Sequence, residues 1–190
     1  MPAPIAPEEL EARLTSVRRA AMELFAARGY RSTSMAAIAE ATGLSRPALY
    51  QHFENREDIF RSALAEILTT SNAEALAALN GLGDLADRFD GYLQRCRGDV
   101  IGPLLGSAHG EELIEARSSS ANDVADRAHA ERHEALLAAL SRLTDDETLT
   151  RRVAQLLELG SLGLKQDSPT PDEYRERLRS LAEAAASLID

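Results

Sequence analysis

Apolar residues recur along this chain at intervals of three and four, and nowhere does a run of β-branched residues alternate with polar ones. A period near 3.6 gathers apolar side chains on one face of a helix, whereas a half-buried strand needs a period of two. Aromatics make up 4% of the chain, tryptophan is absent, and Ala and Leu dominate, so strand formers are scarce as well. The expected fold class is all-α.

Punctuation between the stripes gives the helix order. From Leu14, the positions Val17, Ala20, Ala21, Leu24 and Phe25 mark a first helix ending at Gly29, after a loose arm over residues 1–12 that holds Pro2, Pro4 and Pro7. Thr33 or Ser34 caps a second through Met35, Ile38 and Ala39, closed by Gly43. Ser45 caps a short third over about Arg46 to Phe53, with Pro47 in its first turn, and Asn55 opens a longer fourth. Breaks at Asn80–Asp84 and Gly98–Pro103 flank an amphipathic helix carrying Leu85, Phe89, Tyr92, Leu93 and Cys96. Leu104–Ala116 and Ala121–Leu143 read as two more, with Ser118 to Ser120 as a loop or a frayed turn. Leu149–Lys165 and Pro171–Asp190 form a final pair, parted by the Asp-Ser-Pro-Thr-Pro step at 167–171.

With 190 residues, 44% of them hydrophobic, the chain has enough apolar surface for a core and is expected to be a soluble globular protein. Its single Cys96 can form neither an internal disulfide nor a Cys-based zinc site, and no long apolar run or leader-like start appears, so a cytoplasmic location without membrane contact is expected. The net charge of -10 argues against nucleic acid only on average. Residues 1–65 carry eight Arg and eight acids, so the whole excess lies in the remainder, and Ala26–Phe53 holds Arg28, Arg31 and Arg46 against Glu40 alone. Local charge, not the total, decides phosphate binding.

Met35–Phe53 has the grammar of a helix-turn-helix, in which Ala39 and Ala41 let two helices approach and Ile38, Leu44 and Leu49 plug the angle between them. The outward face of the third helix then holds Ser45, Arg46, Pro47, Ala48, Tyr50, Gln51 and His52. Arg forks onto guanine, Gln bridges adenine and Ala touches a thymine methyl, which is the chemistry of major-groove reading. Thr33, Tyr50, His52 and Arg56 are donors of the kind that fix register on phosphates, helped by the fourth helix's N-terminus.

The run Gly29-Tyr30-Arg31-Ser32-Thr33-Ser34, followed by Ile38-Ala39-Glu40-Ala41-Thr42-Gly43-Leu44-Ser45 and Leu49-Tyr50-Gln51-His52-Phe53, resembles the N-terminal domain of TetR-family transcriptional regulators over about Val17 to Phe60. Many members have Gly where Pro47 stands and Lys where Arg56 stands; Pro suits a first helical turn and Arg keeps the charge. The resemblance implies a three-helix DNA-binding domain over 13–56. After it, residues 57–190 would form a larger helical domain that holds a small-molecule effector and dimerises through its last two helices. In the last helix Tyr174, Leu178, Leu181, Ala185 and Leu188 repeat at spacings of 4, 3, 4 and 3, facing Val153, Leu156, Leu157, Gly160 and Leu164. The expected use of that seam is a four-helix dimer interface, with an intramolecular core stripe as the alternative. Phe89, Tyr92, Cys96 and His109 are the candidate ligand-binding residues.

The implied function is a homodimeric repressor that binds a pseudo-palindromic duplex operator and is released by an unidentified small molecule, with no cofactor. Two alternatives are an activator and a metal-responsive regulator using His129 and His133, four apart on one helical face, with Asp126 beside them. No Gly-rich phosphate loop, nucleophile elbow or catalytic carboxylate pair is present, so an enzyme is not expected.

Overall fold

The computed structural model describes residues 6–167 and 170–189, so Pro2 and Pro4 of the expected arm, Ser168-Pro169 of the expected break and Asp190 lie outside the described residues. Among those described, every regular element is helical. α1 (Pro7–Arg28) starts earlier than its apolar stripe. Pro7 sits in its first turn, where a missing N–H costs nothing, and Glu8 and Glu9 face the positive end of the dipole, so residues 7–12 are helix and not arm.

α2 (Met35–Thr42) begins where Ser34 Oγ accepts the Ala37 N–H at 3.2 Å and ends at Gly43, whose φ of 66° lies in the left-handed region. α3 (Arg46–Tyr50) is capped by Ser45, which accepts the Ala48 N–H at 3.3 Å. It is shorter than expected because the chain tightens at its end: both His52 N–H and Phe53 N–H donate to Leu49 O at 3.1 Å, which turns Phe53 inward. α4 runs over Arg56–Leu79.

α5 (Leu85–Leu93) passes directly into a π-helical turn, Gln94–Gly98, and α6 (Asp99–Ile101), so the expected break at Gly98 is helical. Ahead of α7 (Gly110–Ser120) the backbone unwinds through Gly102–Leu104 and the positive φ of Gly106, which explains why that helix starts later than Leu104. α8 (Asn122–Leu140) follows after Ala121 alone, so Ser118 to Ser120 finish a helix. Asp146 opens α9 (Glu147–Leu164) by accepting the N–H groups of Thr148 and Leu149 at 2.8 and 3.1 Å, and Thr170 caps α10 (Pro171–Ala186).

The helices gather into two compact units, one from the described residues of Met1–Glu66 with Ala108–Val124, the other from Ile67–Ser107 with Ala125 onward. This departs from the expected division after residue 56, because the start of α4 and all of α7 join the helix-turn-helix. In the first unit Phe25, Tyr30 and Phe60 form an aromatic triad with centroids 5.2 to 5.9 Å apart. In the second, Leu79, Phe89, Tyr92, Leu136, Leu157, Tyr174 and Leu178 share one core. Five residues expected at a dimer seam, Val153, Leu157, Tyr174, Leu178 and Ala185, are buried in that core within a single chain. The stripe is therefore intramolecular: a helix pair must first bury its apolar faces against its own fold. Of the rest, Gly160, Leu164 and Leu181 are half-buried and Leu188 is exposed.

Candidate nucleic-acid interface

α3 and the turn after it present Arg46, Pro47, Tyr50, Gln51 and His52 to solvent, while Leu49 is buried. Tyr50 is 54% exposed, a large ring left out of a core that buries Phe25, Phe60 and Tyr30. Two of the other expected contacts are different. Ser45 is exposed, but its hydroxyl is engaged as the helix cap. Ala48 is half-buried and lines a cleft with Leu10, Leu14 and Val17 of α1, which leaves its methyl less available to a thymine than the spacing implied.

The two residues expected outside α2 and α3 are corrected by their partners. Thr33 is 1% exposed, and its hydroxyl donates to Gly29 O at 2.8 Å, so it ties the loop between α1 and α2 and offers nothing to a phosphate. Arg56 turns back on the same loop: Nη1 donates to Arg31 O at 2.6 Å and Thr33 O at 3.3 Å, and the guanidinium lies 4.9 Å from the Tyr30 ring centroid. It braces the loop and does not reach outward. At the α4 N-terminus Asn55 accepts the Asp58 N–H at 3.0 Å and Asp58 accepts the Glu54 N–H at 3.1 Å, which caps part of the first turn.

The loop is also held by α7, which periodicity alone gave no reason to place here. Arg31 Nη2 forks onto both Glu115 oxygens at 2.8 and 2.9 Å, and its backbone N–H donates to Glu112 Oε1 at 2.6 Å. His109, expected at a ligand pocket, lies in this same unit with Nδ1 3.6 Å from Glu112. Arg61 completes the attachment through both Asp123 oxygens at 2.6 and 2.7 Å and Ser120 O at 2.5 Å. That pairing holds the Asp123 carboxyl down, from an ordinary 3.8 to about 2.

Residues 17–63 match the family model of bacterial regulatory proteins of the tetR family. Residues 17–63 are therefore a TetR-type DNA-binding head. A TetR-type head of this kind recurs at 50% identity over 44 residues in the transcriptional repressor ComR of Escherichia coli, covering 23% of this chain and 21% of ComR. It recurs at 42% over 45 residues in the transcriptional activator FasR of Mycolicibacterium smegmatis, covering 24% of this chain and 20% of FasR. The chain thus spans about a fifth of the length of each of these curated relatives. The whole TetR-type fold is shared with a TetR/AcrR regulator from Thermobifida fusca, at 21% identity and TM-score 0.63 over 90% of this chain and 96% of that one. The fatty acid degradation regulator FadR of Bacillus halodurans shares it at 15% identity and TM-score 0.62, over 98% and 96%.

In the second unit, the expected ligand residues Phe89, Tyr92 and Cys96 are all buried in the core. Burial pushes the Cys96 thiol and the Tyr92 phenol up, so both stay protonated, and the Tyr92 hydroxyl has no hydrogen-bond partner among the described residues. Sequence reasoning missed two neighbours, Arg97 and Arg132, which are 5% and 3% exposed. Arg132 was visible in principle, because it interrupts the α8 stripe of Ala125, Ala128, Leu136 and Ala139. Arg97 was not, since only the π-turn brings Cys96, Arg97 and Gly98 inward in succession. On α8, His133 Nδ1 is 2.7 Å from Glu158 Oε2, His129 is half-buried and Asp126 exposed, and no cluster of three or more His, Cys, Asp or Glu suited to a metal occurs among the described residues.

Proposed function

We propose that the chain is a cytoplasmic, homodimeric regulator that reads a pseudo-palindromic DNA operator with α3 and changes its hold on that DNA when a small molecule enters the second unit. The observation that carries the reading is the exposed set Arg46 and Tyr50 on α3 with Gln51 and His52 in the turn that follows it. Arg46 and Gln51 supply base recognition, and Tyr50 and His52 supply phosphate contacts. The likeness to ComR favours repression, the likeness to FasR activation, and release of a repressor by its effector is the reading adopted.

Since the inner seam is core, the dimer face moves to the outer side of the last two helices. There Leu159, Leu162 and Leu188 are exposed, and Leu181 packs against Gly160, where an added Cβ would meet its methyls at 3.0 Å. Such an apolar strip on two adjacent helices suits a two-fold four-helix interface. Two α3 helices related by that axis would read half-sites about one DNA turn apart. An effector favouring one spacing of the heads over another would shift the population between bound and free states.

Selection of bound duplexes from a random pool tests the reading. An inverted repeat is expected, with Gln51→Ala and Arg46→Ala each changing base preference at one position per half-site. Binding without any enriched sequence would overturn it. A reporter promoter carrying the repeat then separates repression from activation by sign.

A further inference from the structure

A buried arginine in a protein core is ordinarily matched by a carboxylate, because a desolvated charge without a partner is costly. Arg97 and Arg132 are both buried in the second unit, and among the described residues no carboxylate oxygen lies within 4 Å of either guanidinium. Arg97 makes one hydrogen bond to the protein there, from Nε to Ser161 Oγ at 3.2 Å. Arg132 makes a long one, from Nη1 to Asn72 Oδ1 at 3.4 Å, and its Nε has no partner. Glu158, the nearby acid, is turned toward His133. The Tyr92 hydroxyl, 1% exposed, is a further donor left unmatched.

These groups belong together. The charge of Arg132 adds to burial in lowering the pKa of Arg97, and both arginine charges reach the Tyr92 phenol. Arg97 is also set in a π-helical turn, followed by Gly98, where an added Cβ would come within 2.5 Å of the movable end of the Gln94 side chain. Turns of this type often mark functional positions. Tyr92 and Cys96 belong to a buried apolar cluster that includes Phe89, Leu136, Leu157 and Tyr174.

We propose that the effector is an organic carboxylate with a compact apolar body, its carboxylate bridging Arg97 and Arg132 and accepting the Tyr92 hydroxyl. The inference rests on the ligand-responsive reading above and names the ligand's charge and class. Two planar guanidinium forks suit the two oxygens of a carboxylate. The surrounding core suits a hydrocarbon chain or ring and not a polar body.

The test uses full-length protein and four probes, hexanoate and benzoate with their neutral isosteres hexanamide and benzamide, plus inorganic phosphate, read by thermal midpoint. At a concentration ~100 times its dissociation constant, an acid that binds should raise the midpoint by roughly 5–10 °C, its amide by far less. Arg97→Gln and Arg132→Gln should each weaken the acid at least tenfold while leaving ligand-free operator affinity unchanged. If either variant fails to fold, the acid-against-amide comparison in the unaltered protein still decides. Equal shifts from acids and amides, a shift from phosphate alone, or no shift from either acid overturns the proposal. Operator binding by the same ligand-free preparation scores the regulator reading separately: binding without an acid-specific shift removes the carboxylate and keeps the regulator, and an acid-specific shift without DNA binding does the reverse.

Discussion

In the unit that carries α3, four arginines meet oxygens of the same unit: Arg31 at Glu115, Arg56 at two backbone carbonyls, Arg61 at Asp123 and Arg18 at Glu66. In the second unit Arg97 and Arg132 are buried more deeply than Arg31 or Arg61 and meet no carboxylate within 4 Å among the described residues. The first set holds a reading head in shape at little energetic cost, because exposed pairs lose and gain about equally on leaving water. The second set costs the native state a desolvation that no carboxylate among the described residues offsets. A fold keeps such a cost where a binding partner offsets it, so the contrast separates residues that shape a site from residues that await one.

The comparison breaks first at Arg97. Arg97→Met keeps most of the side-chain volume and removes the charge whose burial lowers its pKa. Stability should rise, because an unpaired buried charge gives way to an apolar group of similar size. A chemical-denaturation midpoint checks this, with operator affinity as the control. A fall in stability would mean that Arg97 is matched in solution and that the contrast between the units is false.

Arg56→Ala sharpens the other side. It removes two hydrogen bonds to the loop and the contact with Tyr30. A loss of about 1–2 kcal/mol is expected for a half-buried brace of this kind. Hydrogen exchange should rise at Arg31 to Ser34 before it rises in α2. Were Arg56 a phosphate ligand instead, the operator's salt slope would fall by about one and exchange in the loop would not change.

The same contrast marks how far the sequence could be read. The reading head was legible residue by residue, since caps, turn glycine and apolar plug are local signals, and Ser34, Gly43 and Ser45 do what their types and spacing require. Its tertiary tethers were not: Thr33 and Arg56 have the chemistry of phosphate ligands, and only the fold shows the loop taking their donors. In the second unit the helix order was legible, but a stripe at 4, 3, 4, 3 spacing serves either a core or an interface, and the core claimed Tyr174 and Leu178. A π-turn has no period to detect, so Arg97 looked like one more surface charge beside Cys96.

Arg31→Ala should cost less than Arg56→Ala. Both members of its pair with Glu115 are mostly exposed, so about 0.2–1 kcal/mol is expected, shrinking as salt rises. Thermal midpoints at low and high ionic strength check it. A loss that salt does not diminish would show the α7 attachment to be packing and not charge.

The smallest effect is confined to acid. Asp123 titrates near 2 in the folded protein because Arg61 hydrogen-bonds its carboxylate, against about 3.8 for a free side chain. A depressed carboxyl stabilises the fold at pH values above its unfolded pKa, and that contribution fades as pH falls from about 4 toward 2, where the folded state must also take up the proton. Asp123 is exposed, so the contribution is small and screened. Asp123→Asn should therefore lower the thermal midpoint slightly and by a constant amount from neutral pH to about pH 5, then converge with the parent as pH drops through the window. Parallel curves down to pH 2 would mean that Arg61 holds α7 through Ser120 O alone, and that the acidic helix is fixed to the reading head without help from its charge.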